Sequence, residues 1–163
     1  MDPTTEGART PSGVMVLRTL AMPKDTNPWG DVFGGWLLAQ MDIAAGLMAG
    51  EIAQGRAATI SVQNVVFHAP VAVGKTICIY AELIRVGRSS MEIALEVWAR
   101  DLVHVYEPER AFVAEATFHY VAIDPQGRPR AVPAEASSLV RGADAGGAAQ
   151  GADRPEREAT LPA

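Results

Sequence analysis

Residues 34–53 read GGWLLAQMDIAAGLMAGEIA, and this stretch decides the fold. It is dense in good helix formers, contains no proline and runs into Gln54-Gly55, which predicts one helix from Gly34 to Ala53 with a C-terminal stop. From Gly34 to Met48 only Gln40 and Asp42 are polar, and Asp42 alone carries a charge. A helix that is apolar all round is a buried helix, so the rest of the chain has to supply what surrounds it.

The flanking sequence reads as strand. Val14 to Ala21 is a short apolar run ended by Met22-Pro23, and Asp25 to Asp31 is dense in turn formers. Thr59 to His68 is β-branched and stops at Ala69-Pro70; Thr76 to Val86 carries Ile77, Ile79, Tyr80 and Ile84. Met91 to Arg100 alternates, with Met91, Ile93, Leu95 and Val97 on one face and Glu92, Glu96 and Arg100 on the other. Ala111 to Ile123 puts Phe112, Ala114, Ala116, Phe118 and Tyr120 on one face, and Gly87-Arg88-Ser89-Ser90 reads as a hairpin turn. The expected class is α+β: an antiparallel sheet of about five strands wrapped around one long central helix.

The two ends differ from this middle. Residues 1–13 are polar with Pro and Gly, and 136–163 are rich in Ala and Gly with few large apolar residues, so both are expected to be disordered around a domain of residues 14–135. Among 163 residues there is one cysteine, Cys78, which excludes an internal disulfide and reads as a small core residue. No Cys/His cluster offers a metal site, and a net charge of −5 argues against an electrostatic grip on nucleic acid. Met1 to Gly13 lacks the apolar region of a signal peptide, and no apolar run is long enough for a bilayer. The expected setting is the cytoplasm, with neither membrane nor nucleic acid as partner.

Asp42 is the chemical signal. A carboxylate on a buried helix is costly unless hydrogen-bonded, paired or near water, and burial makes it a stronger base. The blander reading is an Asp that caps a loop or pairs with an Arg at an interface. At the other end of the helix, Gly34 and Gly35 leave backbone N–H groups unshielded, suited to an oxygen gaining negative charge; simple close packing explains them too. Gly34 and Asp42 lie about 12 Å apart along one helix at 1.5 Å per residue. One helix does not bring both groups to one reacting carbon, whereas two antiparallel helices across a two-fold interface do. The expectation is a dimer with composite sites.

These residues stand in familiar company. LRTLAMPKDTNPWGDVFGGWLLAQMDIAAG (17–46), VVFHAPVAVGKTI (65–77) and FHYVAIDPQGRPRAVP (118–133) resemble the bacterial YciA-type acyl-CoA thioester hydrolases, single hot-dog enzymes similar also to the halves of mammalian cytosolic acyl-CoA hydrolases. The resemblance spans nearly all of Val14 to Glu135. It implies the hot-dog fold and hydrolysis of acyl-CoA to free CoA and carboxylic acid, with no metal and no cofactor, since coenzyme A is part of substrate and product. It implies Asp42 as general base or nucleophile. Asn27 would orient water or support the thioester oxygen, although alone it reads as a turn residue before Pro28. Gly34 and Gly35 would polarise the carbonyl, and the assembly would be a trimer of dimers.

Pro28-Trp29 replaces smaller or polar residues usual in that loop, which makes Trp29 a candidate wall of the acyl pocket. Lys75 stands where an acidic residue is common. For coenzyme A, the turn Gly87-Arg88-Ser89-Ser90 offers amides, hydroxyls and a guanidinium as a pyrophosphate site, and is otherwise an ordinary hairpin. Arg128 and Arg130 are weaker candidates for the nucleotide phosphates and read mainly as solvated surface charge. His68, His104 and His119 read as structural or exposed, and no GxSxG elbow marks a serine hydrolase. Two other functions compete: a hot-dog hydratase-dehydratase of enoyl or 3-hydroxyacyl thioesters, which wants a His with an acidic residue near the helix, and a non-catalytic acyl-CoA-binding module.

Overall fold

A helix with apolar residues on every side and strands that alternate have one economical arrangement, the sheet's inner face curled against the helix. The computed structural model, which describes residues 9–103 and 110–140, has this form. Strand β1 is Val14–Leu20 and helix α1 Gly34–Ala53; β2 (Ala57–Phe67), β3 (Lys75–Val86), β4 (Ser90–Asp101) and β5 (Ala111–Ala122) follow. The strands form one five-stranded sheet in the order β1-β3-β4-β5-β2. Each neighbouring pair is antiparallel. The expected α+β layout is the observed one, and the helix bounds coincide with those read from residues 34–53.

Leu37, Met41, Ala44, Ala45, Ala49, Ile52 and Ala53 form the buried stripe of α1. Against it lie Ile77 and Ile79 of β3, Ile93, Leu95 and Val97 of β4, and Ala114, Ala116, Phe118 and Tyr120 of β5. The many alanines let helix and sheet approach closely. At the start of α1 a side chain on Gly34 would press on the Phe67 ring, 3.2 Å from an ideal Cβ. Close packing is therefore a genuine part of what that glycine does.

The helix is not buried all round. Gly35, Ala39, Asp42, Ile43 and Leu47 are exposed, with Ile43 at 50% and Leu47 at 51% of full exposure. Within the single chain the helix is thus buried on one face, and Asp42 lies on the other. The sheet covers one face of α1, and among the described residues nothing covers the exposed stripe of Ala39, Ile43 and Leu47. Strand β2, which pairs only with β5, adds a free edge carrying exposed Ile60, Val66 and Phe67.

The described chain reaches past both boundaries expected for the domain. Arg9 lies 3.6 Å above the Phe112 ring and pairs with Glu96 at 2.9 Å, and the Ser12 amide donates to Glu96 at 3.1 Å. At the other end Ala134–Leu139 is a 3-10 turn that buries Ala136. The rest of the two expected disordered segments, residues 1–8 and 141–163, and also His104, lie outside the described residues.

The C-terminus of α1 is held from the segment after β5. Asp124 closes a turn by accepting from the amides of Gln126 and Arg128, and these bonds, led by that of the Arg128 amide, hold its carboxyl below the usual range. The chain then returns so that Arg130 donates to the Ala53 carbonyl at 2.7 Å and to Ile123 O at 3.1 Å. Arg130 is thus partly buried and caps a helix end, where a cation is favoured, instead of lying free on the surface. Among the described residues, no helix is long and apolar enough to cross a membrane.

Candidate active site

Asp42 projects from the exposed side of α1, yet its carboxylate is firmly held. Thr59 Oγ1 donates to Oδ1 at 2.7 Å and Tyr120 Oη to the same oxygen at 2.6 Å; Tyr120 Oη also lies 2.8 Å from the Asp42 main-chain carbonyl. Thr59 and Tyr120 face each other directly across the β2–β5 ladder, so both side chains rise from one face of the sheet towards one point on the helix. Burial first, and then the bond to the Asp42 carboxylate, push the Tyr120 phenol well above its ordinary range against a weaker pull from Thr59. It remains a protonated donor.

One turn beyond Asp42, Gly46 lies beside that hydroxyl, and an ideal Cβ there would sit 3.4 Å from Tyr120 Oη, an ordinary van der Waals contact. Sequence reasoning missed both Thr59 and Tyr120. The alternation of Ala111 to Ile123 puts Tyr120 on one face with Ala114, Ala116 and Phe118, but only the register of two strands distant in sequence brings the pair together.

Asn27 sits in the loop before α1 and builds it. Its Oδ1 accepts from the amides of Trp29 at 3.0 Å and Asp31 at 3.1 Å, while its main chain exchanges bonds with Asp31 and Gly30. With the oxygen engaged, the side-chain N–H₂ makes no hydrogen bond among the described residues. The turn role and the donor role are compatible in one residue.

At the helix start the Trp36 and Leu37 amides both bond to Phe33 O, and the Phe33 amide to Asp25 O. No side chain caps this end, so the Gly34 and Gly35 amides are the orphan donors. Nothing lies within 4 Å of where a Gly35 side chain would begin.

Among the described residues, none of the other singled-out residues hydrogen-bonds to the Asp42 carboxylate. Trp29 is 85% exposed at the tip of its loop. Gly87-Arg88-Ser89-Ser90 is the β3–β4 hairpin: Gly87 N bonds to Ser90 O, and the Arg88 and Ser89 carbonyls accept from Val132 and Ala122. The Arg88 side chain is exposed. Lys75 pairs with Asp101 at 2.6 Å and Arg128 with Asp124 at 2.8 Å. His68 bonds to Glu115 at 2.9 Å and packs on Phe112. His119 neighbours Tyr120 in the strand and therefore faces away from α1. Cys78 is free and buried. Among the described residues no group of three or more His, Cys, Asp or Glu is placed to hold a metal ion.

An antiparallel sheet curled on one central helix is the hot-dog arrangement, and residues 30–105 match the family model of the Thioesterase superfamily. The acyl-CoA thioester hydrolase YciA of Escherichia coli is 50% identical over 125 residues, covering 77% of this chain and 95% of that protein. The chain belongs to this family of acyl-CoA thioester hydrolases. Among solved structures, the hexameric thioesterase y2039 from Yersinia pestis is 49% identical with a TM-score of 0.71, over 77% of this chain and all of that one (100%). An acyl-CoA hydrolase from Staphylococcus aureus, solved with butyryl coenzyme A, coenzyme A and coenzyme A disulfide, is 30% identical with a TM-score of 0.67, over 72% of this chain and 70% of that one.

Proposed function

We propose that this protein hydrolyses acyl-CoA thioesters to free CoA and carboxylic acid at sites shared between two copies of the chain. The observation that carries the reading is the placement of Asp42 on an exposed apolar face of α1, two turns from the orphan amides of Gly34 and Gly35. That separation, about 12 Å along the axis, is too long for one chain to serve one carbonyl. An antiparallel α1 from a second copy, laid on the exposed stripe, sets Gly34 of one subunit opposite Asp42 of the other. It also covers Ile43 and Leu47. The hexameric state of the Yersinia relative supports assembly of this kind, as a trimer of dimers.

In this site the thioester oxygen accepts from the Gly34 or Gly35 amide, which favours the negative charge that develops on it. The Asn27 amide orients water or supports that oxygen. Asp42 either takes a proton from water as the new C–O bond forms or attacks the carbonyl itself; in both routes the C–S bond breaks and CoA leaves as thiolate, then gains a proton. In the second route water hydrolyses the Asp42–acyl anhydride to release the carboxylic acid and restore Asp42. The Gly87–Ser90 turn, with Arg88, holds the pyrophosphate, and Trp29 lines the acyl end. The chemistry requires no cofactor beyond the coenzyme A of the substrate.

A thiol-release assay over a panel of acyl-CoAs, comparing wild type with Asp42→Ala, tests the reading. Release from wild type that falls at least about 100-fold in the variant is the expected result. Undiminished hydrolysis by Asp42→Ala overturns the site assignment. Hydration of enoyl-CoA in place of thiol release returns the hydratase reading.

A further inference from the structure

Two hydroxyls from two strands converge on one oxygen of one carboxylate. Thr59 at 2.7 Å and Tyr120 at 2.6 Å both address Oδ1 of Asp42, and among the described residues nothing donates to Oδ2. A carboxylate carries about four acceptor sites. Two strong donors on one oxygen fix the rotation of the group and leave the second oxygen as its available base or nucleophile. We propose that Tyr120 is a positioning residue for Asp42, and that with Thr59 it commits Oδ1 to the scaffold so that Oδ2 is the reacting oxygen.

The inference rests on the proposed role of Asp42 and extends it. Tyr120 is 3% exposed and its ring packs beside Phe118 at 6.5 Å, so its hydroxyl is delivered from a rigid sheet and not from a loop. The same hydroxyl lies within reach of the Asp42 main chain, tying carboxylate and helix backbone to β5 together. A carboxylate held in this way starts each turnover in its reactive orientation, the kind of preorganisation that raises kcat more than it tightens substrate binding.

The test is Tyr120→Phe, which keeps the ring and removes the donor, alongside Thr59→Val and Thr59→Ser. The expected result is a fall in kcat of about tenfold or more, with KM within about twofold of wild type. Thr59→Val should cost kcat similarly, Thr59→Ser should recover most of that loss, and the double variant should lose less than the product of the two single losses. If kcat is unchanged in Tyr120→Phe, or if kcat, KM and Tm all shift together as for a packing defect, the positioning role is wrong. Should Tyr120→Phe fail to fold, the Thr59→Val and Thr59→Ser pair decides: equal rates in the two overturn the proposal. Asp42→Asn separates this inference from the reading beneath it. An active Asp42→Asn overturns the site itself, whereas an inactive one beside an unaffected Tyr120→Phe overturns only the positioning role.

Discussion

Glu96 gathers three donors on one partly buried carboxylate: the Arg9 guanidinium at 2.9 Å, the Trp98 indole at 2.9 Å and the Ser12 amide at 3.1 Å. Burial alone pushes its carboxyl up, but these bonds outweigh it and hold the group below the usual range. A carboxyl depressed in the folded state stabilises the fold fully above the ordinary carboxylate range, and loses that contribution as pH falls through and below it. Glu96→Gln should lower stability at pH 7 by about 1–3 kcal/mol, and the gap to wild type in thermal melts should close towards pH 3. A gap that stays constant with pH would show that packing, and not charge, is what Glu96 supplies. No pattern in residues 1–13 announces this cluster. Arg9 reads as one more polar residue in a polar segment, because its partners are 87 and 106 positions away. Asn27 teaches the opposite lesson. Its turn role follows from the local sequence alone, and the structure retains it.

At the scale of the element, α1 shows what hydrophobic patterning can and cannot say. Its length and both ends were legible because they depend on local chemistry: proline-free helix formers, glycines at the start, and a stop at Gln54, which adopts the left-handed conformation at φ 52°. Which face meets the sheet was not legible. Amphipathic helices reveal their inner face by contrast, and a helix apolar on both sides has none. The stripe of Leu37, Met41, Ala44, Ala45 and Ala49 lies inside the chain, and that of Ala39, Ile43 and Leu47 faces outward. The outward stripe is the one proposed to meet a second copy. Ile43→Glu should therefore break self-association in sedimentation or size-exclusion measurements and cut thiol release by at least about 100-fold, since an unpaired charge at a buried contact costs several kcal/mol. Circular dichroism should show the fold retained. An assembled, active Ile43→Glu protein would remove this stripe from the interface.

Across the whole molecule, strand alternation and turn chemistry were enough to read an antiparallel sheet on one helix. The Asp42 cluster needed more. It joins residues 17 and 78 positions apart, drawn from α1, β2 and β5, and depends on Thr59 and Tyr120 being opposite each other in the ladder. Patterning assigns side chains to faces; it does not say which residues of two strands are opposite, because a register emerges from the packing of the entire sheet. The same non-locality explains Arg130, whose role as a helix cap arises only when the chain after β5 doubles back to α1.

The distance between Gly34 and Asp42 has a genetic consequence. In a two-fold dimer with shared sites, each site draws its carboxylate from one polypeptide and its Asn27 and amides from the other. On the proposed site, an Asp42→Asn chain and an Asn27→Ala chain should each be defective alone. Dissociated, mixed and reassembled, they form hybrids in which one of the two sites contains no substitution, so that two inactive proteins complement one another. Random pairing predicts recovery of about a quarter of the wild-type rate, and a mixture that stays at the level of its parents would place each complete site within a single chain.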